Sequence, residues 1–239
     1  MKKVVIVTGV SRGVGKTTAE ILAENGFYVI ALSRNPLDLF FSSANIEKYK
    51  IDITNTQEIN NLYEYLKNEK IFALINNAAA SLDSFEVLNG DKLNWQEAIN
   101  TNVIAVMELC KTFSKNIIEN KGHIINITSI GAYYPNRNSG HYLSSKSAES
   151  TLTEILRLET LGSGLRVTEI IPGMIDTQGD NPNAVKPKDV SEAIRWILSL
   201  PLYVNIDNMS IMHINNGKYW PYFFFYSKDL IPIIFKKSG

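Results

Sequence analysis

Short apolar runs alternate with amphipathic stretches along nearly the whole chain, and the first alternation turns on glycines. Val4–Val7 is β-branched and enters the run T-G-V-S-R-G-V-G-K-T at Thr8–Thr17. An amphipathic stretch carrying Ala19, Ile21, Leu22 and Ala23 follows, and Gly26 closes it before the strand-like Phe27–Leu32. A strand, a glycine turn, a helix and a second strand within about 30 residues form a βαβ unit. The pattern then repeats, with strands at Ile46–Ile51, Ile71–Ile75, Gly122–Thr128, Leu165–Ile171 and near Ser210–Ile214. Helices are expected at Gln57–Asn68, from Asp91 to Glu119, around His141–Thr160 and at Pro187–Ser199. Strands that are apolar almost throughout are buried on both faces, as in a parallel sheet with helices on each side. The expected fold is α/β: a single-domain, Rossmann-type doubly wound parallel sheet over residues 1–217, followed by an aromatic tail at 218–239.

The glycine run has two readings. The phosphate loop of NTPases needs four residues between its first glycine and its Gly-Lys-Ser/Thr ending, which puts a glycine where Val10 stands. Gly9 lies one residue too far back, and the extra residue changes how consecutive backbone N–H groups curl around phosphate. The fingerprint G-x-G-x-x-G fails too, because Thr18 occupies its last glycine position. What remains is T-G-x-x-x-G-x-G, whose meaning the rest of the chain has to decide.

Whole-chain properties narrow the classes. A chain of 239 residues, 45% hydrophobic, can bury a full core. With 24 basic and 24 acidic side chains, no global field draws it to nucleic acid or an anionic membrane. The one cysteine, Cys110, lies in an apolar helical pattern, reads as a packed thiol and fits a reducing cytoplasm. The opening M-K-K-V-V-I-V-T-G has the charges of a signal peptide but too short an apolar run. No stretch reaches the roughly 18 apolar residues of a membrane span. A cytoplasmic protein is expected, and no metal site is picked out.

In a doubly wound sheet the ligand lies at the carboxyl ends of the strands. The residues there are Thr8–Gly15, Ser33-Arg34, Asp52-Ile53, Asn76-Asn77-Ala78, Ser129 and Pro172-Gly173, all small, polar or helix-opening. Tyr142 and Lys146, in H-Y-L-S-S-K, stand four apart and share a helix face. A lysine ammonium beside a phenol favours the phenolate and lowers its pKa from about 10, as proton transfer near neutral pH requires. Alone, Y-x-x-x-K also occurs on many solvated helix faces. Together with the Ser129 hydroxyl at a strand end and the glycine turn it is specific. His141 is the alternative acid, although neighbours on a helix face different directions.

At these residues the chain resembles the short-chain dehydrogenase/reductase family over nearly its whole length. T-G-V-S-R-G-V-G, with Gly9, Ser11, Arg12, Gly13, Val14 and Gly15, is similar to the family's cofactor loop. Asp52-Ile53 is similar to its adenine-facing pair, and N-N-A-A at Asn76–Ala79 to its N-N-A-G element, with Asn77 and Ala78 at the cofactor. Asn102 in N-T-N-V-I-A-V resembles the tetrad asparagine, and Ser129 stands thirteen residues before Tyr142, as is usual there. P-G-M-I-D-T, with Pro172, Gly173, Ile175 and Thr177, resembles the segment beside the nicotinamide. Ala79 departs from the pattern: the family usually has glycine, and a methyl group restricts the backbone. The resemblance implies carbonyl reduction in which Tyr142 gives the proton, Ser129 holds the carbonyl oxygen, Lys146 tunes Tyr142 and holds the nicotinamide ribose, and Asn102 positions a water.

An NAD-preferring chain carries an acid after the second strand to meet the ribose hydroxyls. Ser33-Arg34 stands there instead, with Arg12 in the loop, and two guanidiniums can bind a 2′-phosphate. NADP(H) is therefore preferred, with NAD(H) open as the alternative. The expected partner is a small carbonyl or alcohol substrate: a 3-oxoacyl thioester, a hydroxy acid, or an aromatic or diketone compound. Tyr133 and Tyr134 are candidates for the substrate side. The tail, with Trp220, Tyr222, Phe223, Phe224, Phe225 and Tyr226, reads as a packing or interface arm, a substrate lid or an interfacial anchor. A homodimer or homotetramer is expected. The rival from another class is a non-catalytic dinucleotide-sensing protein of the same fold.

Overall fold

The computed structural model of the chain describes residues 2–36, 39–80 and 86–215; the aromatic tail at 218–239 lies outside them. Seven strands form one sheet: β1 (Val4–Thr8), β2 (Tyr28–Ser33), β3 (Ile46–Lys50), β4 (Ile71–Asn76), β5 (His123–Ile127), β6 (Arg166–Pro172) and β7 (Asn208–Ile211). Their order is β3-β2-β1-β4-β5-β6-β7, and every neighbouring pair is parallel. The order reverses between β1 and β4, which opens a crevice at their carboxyl ends. The Rossmann-type α/β fold expected from the alternating pattern is the fold observed.

Helices α1 (Gly13–Glu24), α2 (Thr56–Leu66), α3 (Lys92–Ile99), α4 (Ala105–Glu119), α5 (Gly140–Glu159) and α6 (Pro187–Ser199) cover the two faces. Successive residues of one strand serve opposite cores. Val5 and Val7 join the cluster built with α1 and α6, whereas Val4 and Ile6 join the one built with α2 and α4. Inner strands are buried on both faces for this reason, and all five residues of β1 are buried. Helix α1 meets α6 through small polar side chains, the Thr18 and Ser191 hydroxyls lying 2.9 Å apart. On the other face Phe113 of α4 is fully buried, so truncating it to alanine should cost about 3–5 kcal/mol.

Three boundaries differ from expectation. The long helix over Asp91–Glu119 carries a π-turn at Asn100–Ile104 between α3 and α4, an insertion into the i→i+4 ladder that periodicity alone does not reveal. Helix α2 begins at Thr56 because the Asn55 side chain caps it, accepting from the N–H groups of Gln57 and Glu58. The last strand is Asn208–Ile211 rather than Ser210–Ile214, because its partner β6 runs out where Pro172 pairs with Ile211.

Candidate active site

The glycine turn is built from β1 and β4 together. Thr8 ends β1, and its Oγ1 accepts from the backbone N–H groups of Asn77 and Ala78, each at 2.9 Å. Asn77 answers from β4's end, its Nδ2 donating to the carbonyls of Thr8 (2.8 Å) and Gly9 (3.1 Å). Gly9 adopts φ +71°, and a Cβ there would lie 2.7 Å from the Ala78 Cα. Gly15 is needed for closeness: a Cβ would sit 2.3 Å from the Gly9 carbonyl oxygen. The Asn77 contact is thus made although Ala79 stands where glycine is usual. Helix α1 starts at Gly13, and Arg12 before it is extended and makes no side-chain cap bond. The first N–H groups of α1 therefore face the crevice without a cap, an arrangement suited to an anion.

A cavity of about 650 Å³ occupies the crevice. Of the residues expected at a cofactor, Gly9, Ser11, Arg12, Gly13, Val14, Ser33, Arg34, Asp52, Ile53, Asn77, Ala78, Ile175 and Thr177 line it. Gly15, Pro172, Gly173, Tyr142 and Lys146 do not. Gly15 lies behind the turn, while Pro172 pairs with Ile211 and the Gly173 N–H donates to the Ile211 carbonyl at 2.9 Å. Arg12 and Arg34 are both at the wall. Asp52 is fixed by Thr54, whose N–H and Oγ1 both donate to its Oδ1. Burial works against its charge, but the Thr54 bonds and the Arg34 guanidinium hold its carboxyl below the usual range. Uncapped helix amides, a glycine cradle that a Cβ would fill and two guanidiniums fit a phosphorylated dinucleotide. Glu97 and Thr101 also line the cavity and were not singled out from sequence. Their signal is the four-residue spacing on the helix that carries Asn102.

The strand-end loop after β6 is held from behind. Between Ile175 and Thr177, Asp176 accepts from the N–H groups of Gly179, Asp180 and Asn181 and pairs with Lys186. The Lys186 contact, with those backbone donors, brings its carboxyl down to about 2.

Ser129 follows β5, and its Oγ accepts from the Gly131 N–H at 3.1 Å, which leaves the hydroxyl hydrogen to donate elsewhere. Tyr142 and Lys146 lie one turn apart on α5, Tyr142 half-buried and Lys146 only 1% exposed. Lys146 Nζ donates to the Ile127 carbonyl at 2.7 Å and to Glu149 Oε2 at 2.6 Å. Asn102 sits in the π-turn, its Oδ1 accepting from the Ala80 N–H (2.7 Å). Its Nδ2 donates to the Ala80 carbonyl (3.1 Å) and to Ser145 Oγ (2.9 Å), tying α3–α4 to α5 beside Lys146. His141 is buried and packs edge-on against Trp95 at 6.3 Å, so it belongs to the core. Cys110 is buried as well, with its thiol pushed up to about 12 by burial.

Sequence reading missed two acids next to this set. Glu149 is 1% exposed on α5 and Glu169 2% exposed on β6. Glu169 accepts from Thr128 Oγ1 at 2.6 Å and from the Tyr133 hydroxyl at 2.8 Å. Tyr133 is thereby turned to Glu169 and does not line the cavity. Burial pushes the Glu149 carboxyl up to about 7 against the pull of Lys146, and Glu169 adds to the rise. Burial also opposes the Lys146 ammonium, but Glu149 and the nearby Tyr142 outweigh it and raise its pKa. The available signal was the stripe Leu143, Lys146, Glu149, Thr153, an i, i+3, i+4 face that turns a charged pair inward.

Comparison with known proteins identifies the family and the fold. A family model described as short chain dehydrogenase matches residues 3–187. An uncharacterised oxidoreductase of Staphylococcus saprophyticus is 32% identical over 226 residues, spanning 87% of this chain and 96% of that one. Among solved structures, the closed form of a serine dehydrogenase complexed with NADP+ is 27% identical, with a TM-score of 0.81 over 89% of this chain and 96% of the other. A 4-hydroxyisoleucine dehydrogenase complexed with NADH is 25% identical, with a TM-score of 0.79 over 89% and 97%. With a family match over residues 3–187 and a relative 32% identical over most of its length, the chain belongs to the short-chain dehydrogenase family of oxidoreductases.

Proposed function

We propose that the chain is an NADP(H)-dependent oxidoreductase that reduces a carbonyl to an alcohol. The observation that carries this reading is the pair Tyr142 and Lys146 one turn apart on α5, with Lys146 bonded to the Ile127 carbonyl at the end of β5 and Ser129 two residues on, in a chain whose glycine turn lines the cavity. The first N–H groups of α1 would hold the pyrophosphate, Asp52 and Ile53 the adenosine end, and Arg12 and Arg34 a 2′-phosphate. When bound, the cofactor supplies the hydride. The Ser129 hydroxyl donates to the carbonyl oxygen and orients it. Tyr142 Oη gives that oxygen its proton, and Lys146 stabilises the phenolate left behind. Asn102 fixes the π-turn against Ala80 and Ser145, and so keeps open a water route to Lys146. The cofactor of the serine dehydrogenase favours NADP(H), while that of the 4-hydroxyisoleucine dehydrogenase keeps NAD(H) as the alternative. The substrate is a small carbonyl compound of 3-oxoacyl, hydroxy-acid or aromatic/diketone type. A buried reduced thiol and balanced charge fit a cytoplasmic enzyme.

The test is Tyr142→Phe. It removes one hydroxyl, so kcat for NADPH-dependent reduction across a ketone panel should fall by about 10²–10⁴, with the NADPH Kd held within a few-fold. A variant that keeps most of its turnover refutes Tyr142 as the acid. A wild-type chain that binds NADPH but turns over no ketone supports the sensing role instead. Arg34→Asp tests the phosphate reading: a like charge at the cavity wall should weaken NADPH at least tenfold more than NADH, about 1.4 kcal/mol of discrimination. Equal losses for both cofactors would remove Arg34 from 2′-phosphate recognition.

A further inference from the structure

The interior beneath the Ser129–Tyr142–Lys146 set holds more negative charge than that set needs. Lys146 is one of the largest fully buried side chains, and its ammonium has three donors. Two are committed, to the Ile127 carbonyl at 2.7 Å and to Glu149 at 2.6 Å, so the direction of the third is fixed. Glu149 comes from the same helix three residues on, and it faces Lys146 on α5, Glu169 on β6 and Cys110 on α4, while Tyr142 faces Lys146 from one turn earlier. Glu169 is held in turn by Thr128 and Tyr133, with Arg157 beyond Tyr133. A carboxylate this deep is costly unless it is paired, and Lys146 is the one cation within contact of it among the described residues.

We propose that Glu149 is a positioning residue for the reaction: it anchors the Lys146 ammonium against β5 and offsets its charge, so that Tyr142 keeps its proton to higher pH and the site favours giving a proton to a carbonyl over taking one from an alcohol. This rests on the reading of Tyr142 as the proton donor. In reduction the carbonyl carbon would receive hydride from a reduced nicotinamide cofactor, which is thereby oxidised; the C=O π pair moves to the oxygen, the Tyr142 O–H bond breaks, and its proton goes to that oxygen. The bonding pair stays on Tyr142 as phenolate, which solvent then reprotonates. An ammonium with no counter-charge pulls this balance toward phenolate before substrate arrives. Glu149 works against that pull on the alkaline side, where its own carboxyl is ionised. Seven helix residues separate Tyr142 from Glu149, roughly 10 Å of rise, and at an effective dielectric constant near 20 one charge there is worth about one pH unit.

The test uses Glu149→Gln in the full chain, which keeps an oxygen for Lys146 and deletes the charge. The first readout needs no turnover: tyrosinate absorbance is titrated without cofactor, and the matching Tyr142→Phe chain is subtracted to isolate Tyr142. The second is the alkaline limb of kcat for ketone reduction. Both should move to lower pH by about one unit, whereas Glu149→Asp, which retains the charge, stays near wild type. Unmoved titration and unmoved limb in E149Q would overturn the proposal. If Y142F retains turnover, the acid assignment fails while the absorbance titration still decides Glu149. Should E149Q not fold, Glu149→Ser leaves room for a water beside the ammonium and is expected to give the same displacement in both readouts.

Discussion

His123 lies wholly inside β5 and Glu149 wholly inside α5, and their proton affinities are displaced in opposite senses for stability. Burial, aided by the Arg166 guanidinium, pushes the His123 imidazole down to about 3 from an ordinary 6.5. Between those values the unfolded chain binds a proton that the folded chain does not, so His123 erodes stability as pH falls. Glu149 is raised from 4.5 to about 7. There the folded chain holds the extra proton, so stability erodes as pH rises through that window. From pH 4.5 to 6.5 the two slopes oppose each other and the wild-type melting temperature should be nearly flat. His123→Gln, whose amide can still meet Thr168 Oγ1 (2.7 Å from His123 Nε2), should unmask a melting temperature that falls with rising pH. Glu149→Gln should unmask the reverse, a fall with acidification. Calorimetric melts in half-unit pH steps decide it, and parallel curves for all three chains would show that neither group is felt. The two acids escaped sequence reading for a related reason. A strand-end serine and a Tyr/Lys pair have spacing that betrays them, whereas Glu149 and Glu169 acquire meaning only once the packing of α5 on β6 removes water.

Among the elements, what was legible followed from periodicity and what was not followed from contacts distant in sequence. Strands β1, β2 and β4 read clearly because an inner parallel strand is buried on both faces and largely apolar, and β5 and β6 read from their isoleucines and valine although His123, Asn126, Arg166, Thr168 and Glu169 stand among them. Strand β3 is a counter-case: Glu47, Lys48 and Lys50 make up most of it, with only Ile46 and Tyr49 besides, because it lies at the sheet's edge. The helix over Asp91–Glu119 was legible as one helix, but its π-turn was not. Asn102 projects from that turn to both backbone groups of Ala80, a residue 22 positions earlier. Such insertions occur at functional sites far more than elsewhere, and this one places Asn102 next to Ser145, one residue before Lys146. Within the glycine turn the role of each glycine differs. Gly9 and Gly13 need positive φ and face the cavity, while Gly15 needs only the absence of a side chain against the Gly9 carbonyl.

At the scale of the whole molecule, several large apolar side chains stand exposed among the described residues. The π-turn before α4 is joined to α5 by the Asn102–Ser145 bond. Ile104 at the end of that turn, Met107 on α4 and Ile155 and Leu158 on α5 are exposed, with Leu161 just beyond α5. We propose that a second copy of this chain covers these side chains. We expect a homodimer or a dimer of dimers, and Met107→Lys combined with Ile155→Lys should convert it to monomer on size-exclusion chromatography with light scattering. Both side chains are already partly in water, so the folded core and the NADPH affinity should be preserved. The aromatic tail, Trp220 to Tyr226, competes for the same role. Truncation after Gly217 should leave the helix-mediated dimer intact if α4 and α5 carry it. A monomer after truncation, with the double lysine variant still dimeric, would move the interface to the tail. A wild-type chain that is monomeric at micromolar concentration would reject both, and would leave burial of the exposed isoleucines and leucines to some other partner.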